Sequence, residues 1–305
     1  MRCLAAVMLV IWSLHAQTNI QRPHVLGLAH VAFRVTDLDR TQLFYESFLG
    51  YEEPFSLQAE GGKPTIAFVK ANDLQYVELF QGDAQSQGQL DHFAFYTDDL
   101  TAMRAYLQSL GMYIAKDTQK GRIGNPFLTI RDPDGHFVEI LQYSPNSLTA
   151  KSQGKFMPAG RISDHITHVG IIVNSVNMAM KFYRDALGFR EVSRGAGIAG
   201  QRSCIDLQTP DGSDFIELIP LSGKPSPTDL KAQNHLGLAS SDVRKTVATL
   251  ETRGISGSPN SSITVQTGGG LPTRANIFDP DGARIEIMEP LPAAAPVVER
   301  AAHQQ

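Results

Sequence analysis

The stretch Leu28-Ala29-His30-Val31-Ala32-Phe33 decides the fold, because the chain repeats its pattern three more times. In each copy a histidine opens an apolar run that is typical of a β-strand. At a nearly constant spacing a glutamate follows, inside a second apolar run such as Val77-Glu78-Leu79-Phe80. Four copies of one plan predict a fold built from repeated modules. The pairs are His30 with Glu78, His92 with Glu139, His168 with Glu217, and His235 with Glu286.

Each copy also predicts the same order of secondary structure. The histidine strand leads into an amphipathic helix, and two or three strands follow, the last of which holds the glutamate. In the first copy Asp37 or Asp39 can cap the helix. The pair Phe44-Tyr45 inside this helix returns in the third copy as Phe182-Tyr183. The first and third modules are therefore of one kind.

The second and fourth copies share a different signature, which is a tight turn just before the glutamate strand. The turns are Asp132-Pro133-Asp134-Gly135 and Asp279-Pro280-Asp281-Gly282, in which proline presets one dihedral angle and glycine accepts a positive φ. The order A-B-A-B predicts two tandem halves. The predicted parts are a signal peptide (1–16), a first domain (25–144), a linker (145–164), a second domain (165–290) and a disordered tail (291–305).

Strand alternation places the histidines and glutamates on one surface. Val31, Phe33 and Val35 suit the face of the strand that packs on the helix, so His30 and Arg34 point to the other face. The same alternation on the glutamate strands places Tyr76, Glu78 and Phe80, and also Glu139, on the face away from the helix. Two imidazoles and two carboxylates that converge on one point form a site for a divalent metal. Modules 1+2 and 3+4, or 1+4 and 2+3, would both supply that set.

A lone strand histidine is more often a hydrogen-bonded core residue than a ligand. However, an unpaired buried carboxylate is costly, and four of them at one phase, each tied to a histidine, indicate ligands. The ligand set suits Zn²⁺, Ni²⁺, Mn²⁺ or Fe²⁺, and no thiolate is present to select a softer metal. The predicted metal ligands are His30, Glu78, His92, Glu139, His168, Glu217, His235 and Glu286.

The repeated motifs resemble the vicinal oxygen chelate superfamily, which includes glyoxalases, bleomycin-resistance proteins and extradiol dioxygenases. The resemblance covers nearly all of the chain after the signal peptide and rests on the histidines, the glutamates, Phe44-Tyr45, Leu49-Gly50 and the two Asp-Pro-Asp-Gly turns. It implies an α+β fold of four βαβββ modules. These would form two tandem domains whose curved sheets close into metal-binding cups.

The resemblance implies a glyoxalase-like lyase or isomerase as the first hypothesis. The metal would hold two neighbouring oxygens of a small substrate, and a glutamate would move a proton between adjacent carbons. The N-terminal cup is the expected active one, with Glu139 or Glu78 as the base. The side chains predicted to line its substrate pocket are Arg34, Tyr76, Phe80, Tyr96 and Phe127.

Two other functions stay open. An extradiol ring-cleaving dioxygenase would use His168, His235 and Glu286, but the acid–base histidine of that family is missing between His168 and His235. The tyrosine that it places before the last Asp-Pro turn is also missing. A non-catalytic protein that binds a metal or small molecule is the third hypothesis, although bleomycin-resistance members usually lack the metal residues.

Composition agrees with a protein that acts on small molecules. The 305 residues are 42% hydrophobic and 19% charged, and the net charge of −4 gives no reason to expect nucleic acid. Arg2 followed by the apolar run from Cys3 to Leu14 predicts an exported protein, periplasmic or secreted, with cleavage after Ala16 and no stable membrane anchor. The alternative is an uncleaved apolar segment on a cytoplasmic protein. Only Cys204 would remain, so no internal disulfide is expected. The expected state is a monomer or homodimer.

Overall fold

The computed structural model describes residues 20–58, 62–83, 89–115, 118–195, 204–221, 223–254, 263–268 and 271–290. The predicted signal peptide, 1–16, and the predicted tail, 291–305, lie outside the described residues. Within these ranges no helix has the length and apolar character needed to cross a bilayer.

The first half of the described chain forms one curled sheet of eight strands. Its strands are β1 (Gly27–Val35), β2 (Glu52–Gln58), β3 (Pro64–Lys70), β4 (Tyr76–Gln81), β5 (Gln89–Tyr96), β6 (Gln119–Lys120), β7 (Pro126–Arg131) and β8 (Phe137–Leu141). Across the sheet they run in the order β2-β3-β4-β1-β5-β8-β7-β6. The two histidine strands, β1 and β5, lie side by side at its centre.

The second half repeats the first. Its strands are β9 (Ile166–Val173), β10 (Arg190–Gly195), β11 (Cys204–Gln208), β12 (Phe215–Pro220), β13 (His235–Ala239), β14 (Val265–Gly268), β15 (Leu271–Phe278) and β16 (Arg284–Met288). Their order is β10-β11-β12-β9-β13-β16-β15-β14, which is the first order again, strand for strand. The predicted α+β fold with two tandem domains of paired modules is confirmed.

One helix lies in each module, and two short helices follow elsewhere. The helices are α1 (Leu38–Leu43), α2 (Leu100–Ser109), α3 (Leu148–Lys151), α4 (Val176–Met180), α5 (Pro227–Gln233) and α6 (Val243–Arg253). The helix α1 widens into a π-helical segment, Phe44–Phe48, and α4 does the same over Lys181–Ala186. Asp37 caps α1 by accepting a hydrogen bond from the Arg40 amide, so the cap is Asp37 and not Asp39.

Hydrogen bonding between the histidine strands decides which modules share a cup. Strand β1 pairs antiparallel with β5, and the glutamate strands β4 and β8 each run parallel to the histidine strand beside them. Ala32 lies opposite both Glu78 and His92, and Ala94 lies opposite Glu139. Modules 1 and 2 therefore form one cup and modules 3 and 4 the other. The alternative pairing of 1 with 4 and 2 with 3 is wrong.

The two halves are interlocked through the helices of the odd modules and the turns of the even ones. Backbone and hydroxyl groups of Thr36 donate to Asp281 in the last turn, at 3.0 and 2.5 Å. In the matching contact the amide of Asn174 donates to Asp134 at 3.0 Å, and the hydroxyl of Tyr183 donates to Asp132 in the same turn at 2.8 Å. The apolar faces of β1 and β9 belong to one continuous buried cluster that spans both halves. The halves thus share a core as well as polar contacts.

Candidate metal centres

The predicted ligands of the first half meet on the concave face of its sheet. We call this face, defined by His30, Glu78, His92 and Glu139, the N-terminal cup. The Nε2 atoms of the two histidines are 3.0 Å apart. His30 lies 3.4 Å from Glu78 (Nδ1 to Oε1) and 3.6 Å from Glu139 (Nε2 to Oε2). Four adjacent strands carry these residues, so the sheet itself fixes their spacing.

The donor set fits a divalent ion. Two nitrogen ligands at neighbouring positions of an ion, each with a bond of about 2.1 Å, lie about 3.0 Å apart, which is the separation that the two imidazoles show. The Nδ1 of His92 is 2.8 Å from a carboxylate oxygen of Asp91, which accepts a hydrogen bond from it and leaves the Nε2 lone pair free for a metal. Asp91 is held in turn by Arg34, whose Nε donates at 2.6 Å.

Burial makes the clustered carboxylates unusually basic. Removal from water raises the pKa of Glu78 to about 8, with attraction to His92 opposing the change and repulsion from Glu139 adding to it. Burial also raises the pKa of Glu139. The pKa of His30 is held well below its ordinary value, first by burial and then by repulsion from His92. The lowered pKa keeps the imidazole of His30 neutral, which is the form that binds a metal.

A cavity of about 150 Å³ opens onto this quartet. Among the predicted pocket residues, Phe80 and Phe127 line it. The other three lie outside the set of described lining residues: Arg34 pairs with Asp91, the Tyr76 hydroxyl meets Ser152, and Tyr96 packs on Tyr143. The lining residues are His30, Leu57, Ile66, Phe68, Glu78, Phe80, His92, Gly121, Arg122, Ile123, Asn125, Phe127, Glu139 and Leu141.

Sequence reasoning missed the walls from β2 and β3 and the loop before β7. The inward positions Ile66 and Phe68 alternate on β3 with the same phase that identified the ligands, so this signal was present. The loop that carries Arg122 and Asn125 has no periodic pattern, so the sequence contained no signal for its place beside the cavity. Asn125 is fixed by hydrogen bonds to the Thr149 hydroxyl and from the Ser144 amide.

The second quartet also comes together, on the concave face of the second sheet. We call this face, defined by His168, Glu217, His235 and Glu286, the C-terminal cup. The Nε2 atoms of its histidines are 2.9 Å apart, and His235 Nε2 lies 3.3 Å from Glu217. In each cup, ligand atoms of two histidines and one glutamate lie within 4.8 Å of one another. Both cups therefore contain a His/Glu cluster that could hold a divalent ion.

The C-terminal cup differs in what surrounds the ligands. Arg274 Nη1 lies 3.5 Å from Glu286 Oε1, and Arg284 Nη2 lies 4.0 Å from Glu217 Oε2. Arg284 also contacts the Nδ1 of His235. Both arginine side chains are only 12% exposed, so these guanidinium groups are part of the cup itself.

Proteins of known activity are similar to this chain. Lactoylglutathione lyase GLX1 of Arabidopsis thaliana is 27% identical over 172 residues, which are 53% of this chain and 54% of that protein. The chain thus spans about half the length of this curated relative. Metapyrocatechase 2 of Cupriavidus necator is 23% identical over 254 residues, 76% of this chain and 75% of the relative. Both relatives are named as enzymes.

Solved structures show the same fold. The 2,3-dioxygenase LapB of Pseudomonas sp. KL28 has a TM-score of 0.66 at 16% identity and covers 90% of this chain and 96% of its own. The Mn(II)-bound glyoxalase of Novosphingobium aromaticivorans has a TM-score of 0.64 at 19% identity, and the match covers 88% of this chain and 84% of that one. A family model matches residues 27–140 and 165–287, which is most of both halves. The chain therefore belongs to the glyoxalase/bleomycin resistance protein/dioxygenase superfamily.

Proposed function

We propose that the N-terminal cup is the active site of a metal-dependent lyase or isomerase that transfers a proton between adjacent carbons of a small substrate with vicinal oxygens. The observation that carries this proposal is the opening of the ligand quartet onto a cavity of about 150 Å³, a volume that can hold a molecule the size of benzene. Glu78 and Glu139 both line that cavity, so a carboxylate is available to the substrate from β4 and from β8.

The residues of the cup have separate tasks in this proposal. His30, His92, Glu78 and Glu139 would hold the ion. A divalent ion bound there polarises a substrate carbonyl and makes the neighbouring C–H more acidic. Asp91 orients His92, as its hydrogen bond to Nδ1 indicates. A glutamate takes the proton from one carbon and returns it to the next.

Glu139 is the better candidate for the base. Its side chain is 18% exposed, compared with 8% for Glu78, so its carboxylate has the freer approach to a substrate in the cavity. Burial raises its pKa, and a more basic carboxylate removes a carbon-bound proton more effectively. Glu78 lies deeper and is better suited to a lasting role as ligand.

The walls limit the substrate. Leu57, Ile66, Phe68, Phe80 and Phe127 make most of the lining apolar. Apart from the two histidines, Arg122 is the one basic side chain among the described lining residues, and its guanidinium donates to the Gln58 carbonyl. The part of the substrate beyond its two oxygens is therefore expected to be apolar. The likeness to lactoylglutathione lyase supports this class of chemistry without specifying glutathione.

The test is solvent-proton exchange in α-hydroxy ketones and 2-oxoaldehyde adducts, followed by NMR in D₂O with metal-loaded protein. Glu139→Gln keeps the size of the side chain but removes the base, so kcat/KM should fall by about 10²- to 10⁴-fold. Glu286→Gln in the other cup is the control and should keep the exchange activity. Equal losses in both variants, or none in either, would contradict the proposal.

A ring-cleaving dioxygenase is the second candidate, because the structural likeness to LapB covers nearly the whole of both chains. Such an enzyme would use the C-terminal cup. The residues just before the last turn there are Ile277 and Phe278, where that family places a tyrosine. Oxygen uptake with catechols by the iron-loaded protein, abolished by Glu286→Gln and kept in Glu139→Gln, would favour this candidate over the lyase.

A further inference from the structure

The two cups can be compared position by position, because their strands pair in the same register. On the strand beside the first glutamate, Phe68 faces Glu78 in one cup and Asp206 faces Glu217 in the other. The wall of the N-terminal cup is thus aromatic at a position where the C-terminal cup has a carboxyl group.

Two further matched positions place arginine where the N-terminal cup has phenylalanine. Phe137 pairs with the ligand His92, and Arg284 pairs with the ligand His235. Phe127 lies opposite Leu141, two residues after the ligand Glu139. Arg274 lies opposite Met288, two residues after the ligand Glu286.

These arginines bring positive charge to the carboxylates that would bind an ion. Arg274 lies beside Glu286, and Arg284 lies beside Glu217 and His235. A guanidinium group keeps its charge at any pH at which the protein folds. In the N-terminal cup, by contrast, Glu78 and Glu139 form ion pairs only with the two histidine ligands, as far as the described residues extend.

The histidines of the C-terminal cup also sit deeper in their sheet. Gly170 and Gly237 replace the Ala32 and Ala94 of the other cup, each two residues after a ligand histidine. A Cβ atom on Gly170 would lie 1.9 Å from the ring of His235, and one on Gly237 would lie 2.0 Å from the ring of His168. The rings therefore occupy the space of two missing methyl groups.

Packing holds the recessed rings in place. His168 stacks on Phe215 with ring centroids 4.5 Å apart, and the two histidines are at most 1% exposed. Those of the N-terminal cup are 6% and 8% exposed. The two histidines of the C-terminal cup are thus less accessible than those of the N-terminal cup.

We infer that the C-terminal cup holds no divalent ion, and that Arg274 and Arg284 take the electrostatic place of the ion. The two half-buried guanidinium groups offset the charge of Glu217 and Glu286, and they would repel a dication brought among them. The carboxyl group of Asp206 does not restore a metal site, because Glu217 and Glu286 are already paired with Arg284 and Arg274. The chain is therefore expected to take up one ion, in the N-terminal cup. This inference concerns the cup that the proposed function does not use.

The experiment measures Mn²⁺ uptake by elemental analysis and by electron paramagnetic resonance, with Glu139→Gln protein so that the N-terminal cup is disabled. This protein should bind no ion. Adding Arg274→Gln/Arg284→Gln removes both positive charges and keeps hydrogen-bonding groups, so the new protein should bind one ion per chain. The matched control, Arg274→Lys/Arg284→Lys, keeps the charges and should bind none.

The outcomes separate this inference from the proposed function. If the Glu139→Gln protein holds an ion that is lost on Glu286→Gln, the arginines do not exclude metal and the inference is wrong. It is equally wrong if the glutamine pair, folded by circular dichroism, takes up no Mn²⁺. Should that pair not fold, Arg274→Phe/Arg284→Phe, which copies the N-terminal cup, replaces it with the same expected gain. A wild type without metal refutes the proposed function together with the ion expected in the N-terminal cup, but it agrees with a C-terminal cup that excludes metal.

Discussion

Asp91 is expected to control the metal affinity of the N-terminal cup although it does not itself reach the ion. Its carboxylate accepts a hydrogen bond from His92 Nδ1 at 2.8 Å and one from Arg34 at 2.6 Å. These contacts fix the orientation of the ring and the nitrogen that carries the proton. With the carboxylate side chain 20% exposed, water can replace it only in part.

Two substitutions grade the effect. In Asp91→Asn the amide oxygen can still accept from Nδ1 but the charge is lost, so Mn²⁺ affinity should fall about tenfold, or about 1.4 kcal/mol. In Asp91→Ala both the acceptor and the charge are lost, and the fall should approach about 100-fold, or about 2.7 kcal/mol. Arg34→Gln is the control. Its guanidinium is 42% exposed and contacts no metal ligand, since its partners are Asp91 and the ring of Phe80, so less than about a threefold change is expected.

The assay is a titration of metal-free protein with Mn²⁺, in which the free ion is measured by electron paramagnetic resonance. A Glu286→Gln background restricts the measurement to the N-terminal cup. An Asp91→Ala protein that binds Mn²⁺ as tightly as its parent would refute the reasoning, since His92 would then need no partner. An Arg34→Gln protein weaker than Asp91→Asn would place the controlling contact on the guanidinium instead.

Three further predictions concern stability, each measured as the free energy of unfolding in urea. Burial opposes ionisation of Asp132, but its histidine and tyrosine partners hold its pKa below 3.8. The Asp132→Asn protein should therefore be less stable than wild type by its full amount above about pH 4, and this difference should vanish as the pH falls further. A difference in stability that does not depend on pH would contradict this. Gly170→Ala pushes a methyl group into an imidazole ring and should cost about 1–3 kcal/mol, while Gly160→Ala, whose nearest neighbour would be 3.6 Å away, should be close to neutral; equal effects would count against the packing argument. Lys70→Met removes a buried ammonium that donates to an aspartate and two backbone carbonyls and should cost about 2–3 kcal/mol, whereas the exposed Lys63→Met should change stability by less than about 0.5 kcal/mol.

The repeat and the strand alternation predicted the ligand quartets because both are local properties of the chain. A side chain two residues from another on a strand shares its face, so the apolar neighbours of His30 and Glu78 indicate that each points away from the helix side of its own strand. The choice of partner modules is not local. Both pairings supply the same ligands, and only hydrogen bonds between β1 and β5 distinguish them.

The surroundings of the ligands were harder to predict. Alternation correctly turns Arg34 to the ligand face, but it cannot show that the guanidinium bends away to Asp91. The loop around Arg122 has no period, so its approach to the cavity depends on tertiary packing. One of the two arginines of the C-terminal cup could have been predicted, since Arg284 precedes Glu286 by two positions on one strand and must share its face.

The crossed contacts between helices and turns have a consequence for how this duplicated protein can evolve. Thr36 depends on Asp281 from the opposite end of the chain, and Asp132 is satisfied in part by Tyr183. Removing either half would strip the remaining one of core partners and leave polar groups exposed, so the molecule should unfold in a single cooperative step. A cup that has lost its chemistry can therefore still be retained by selection, as the scaffold on which its twin folds.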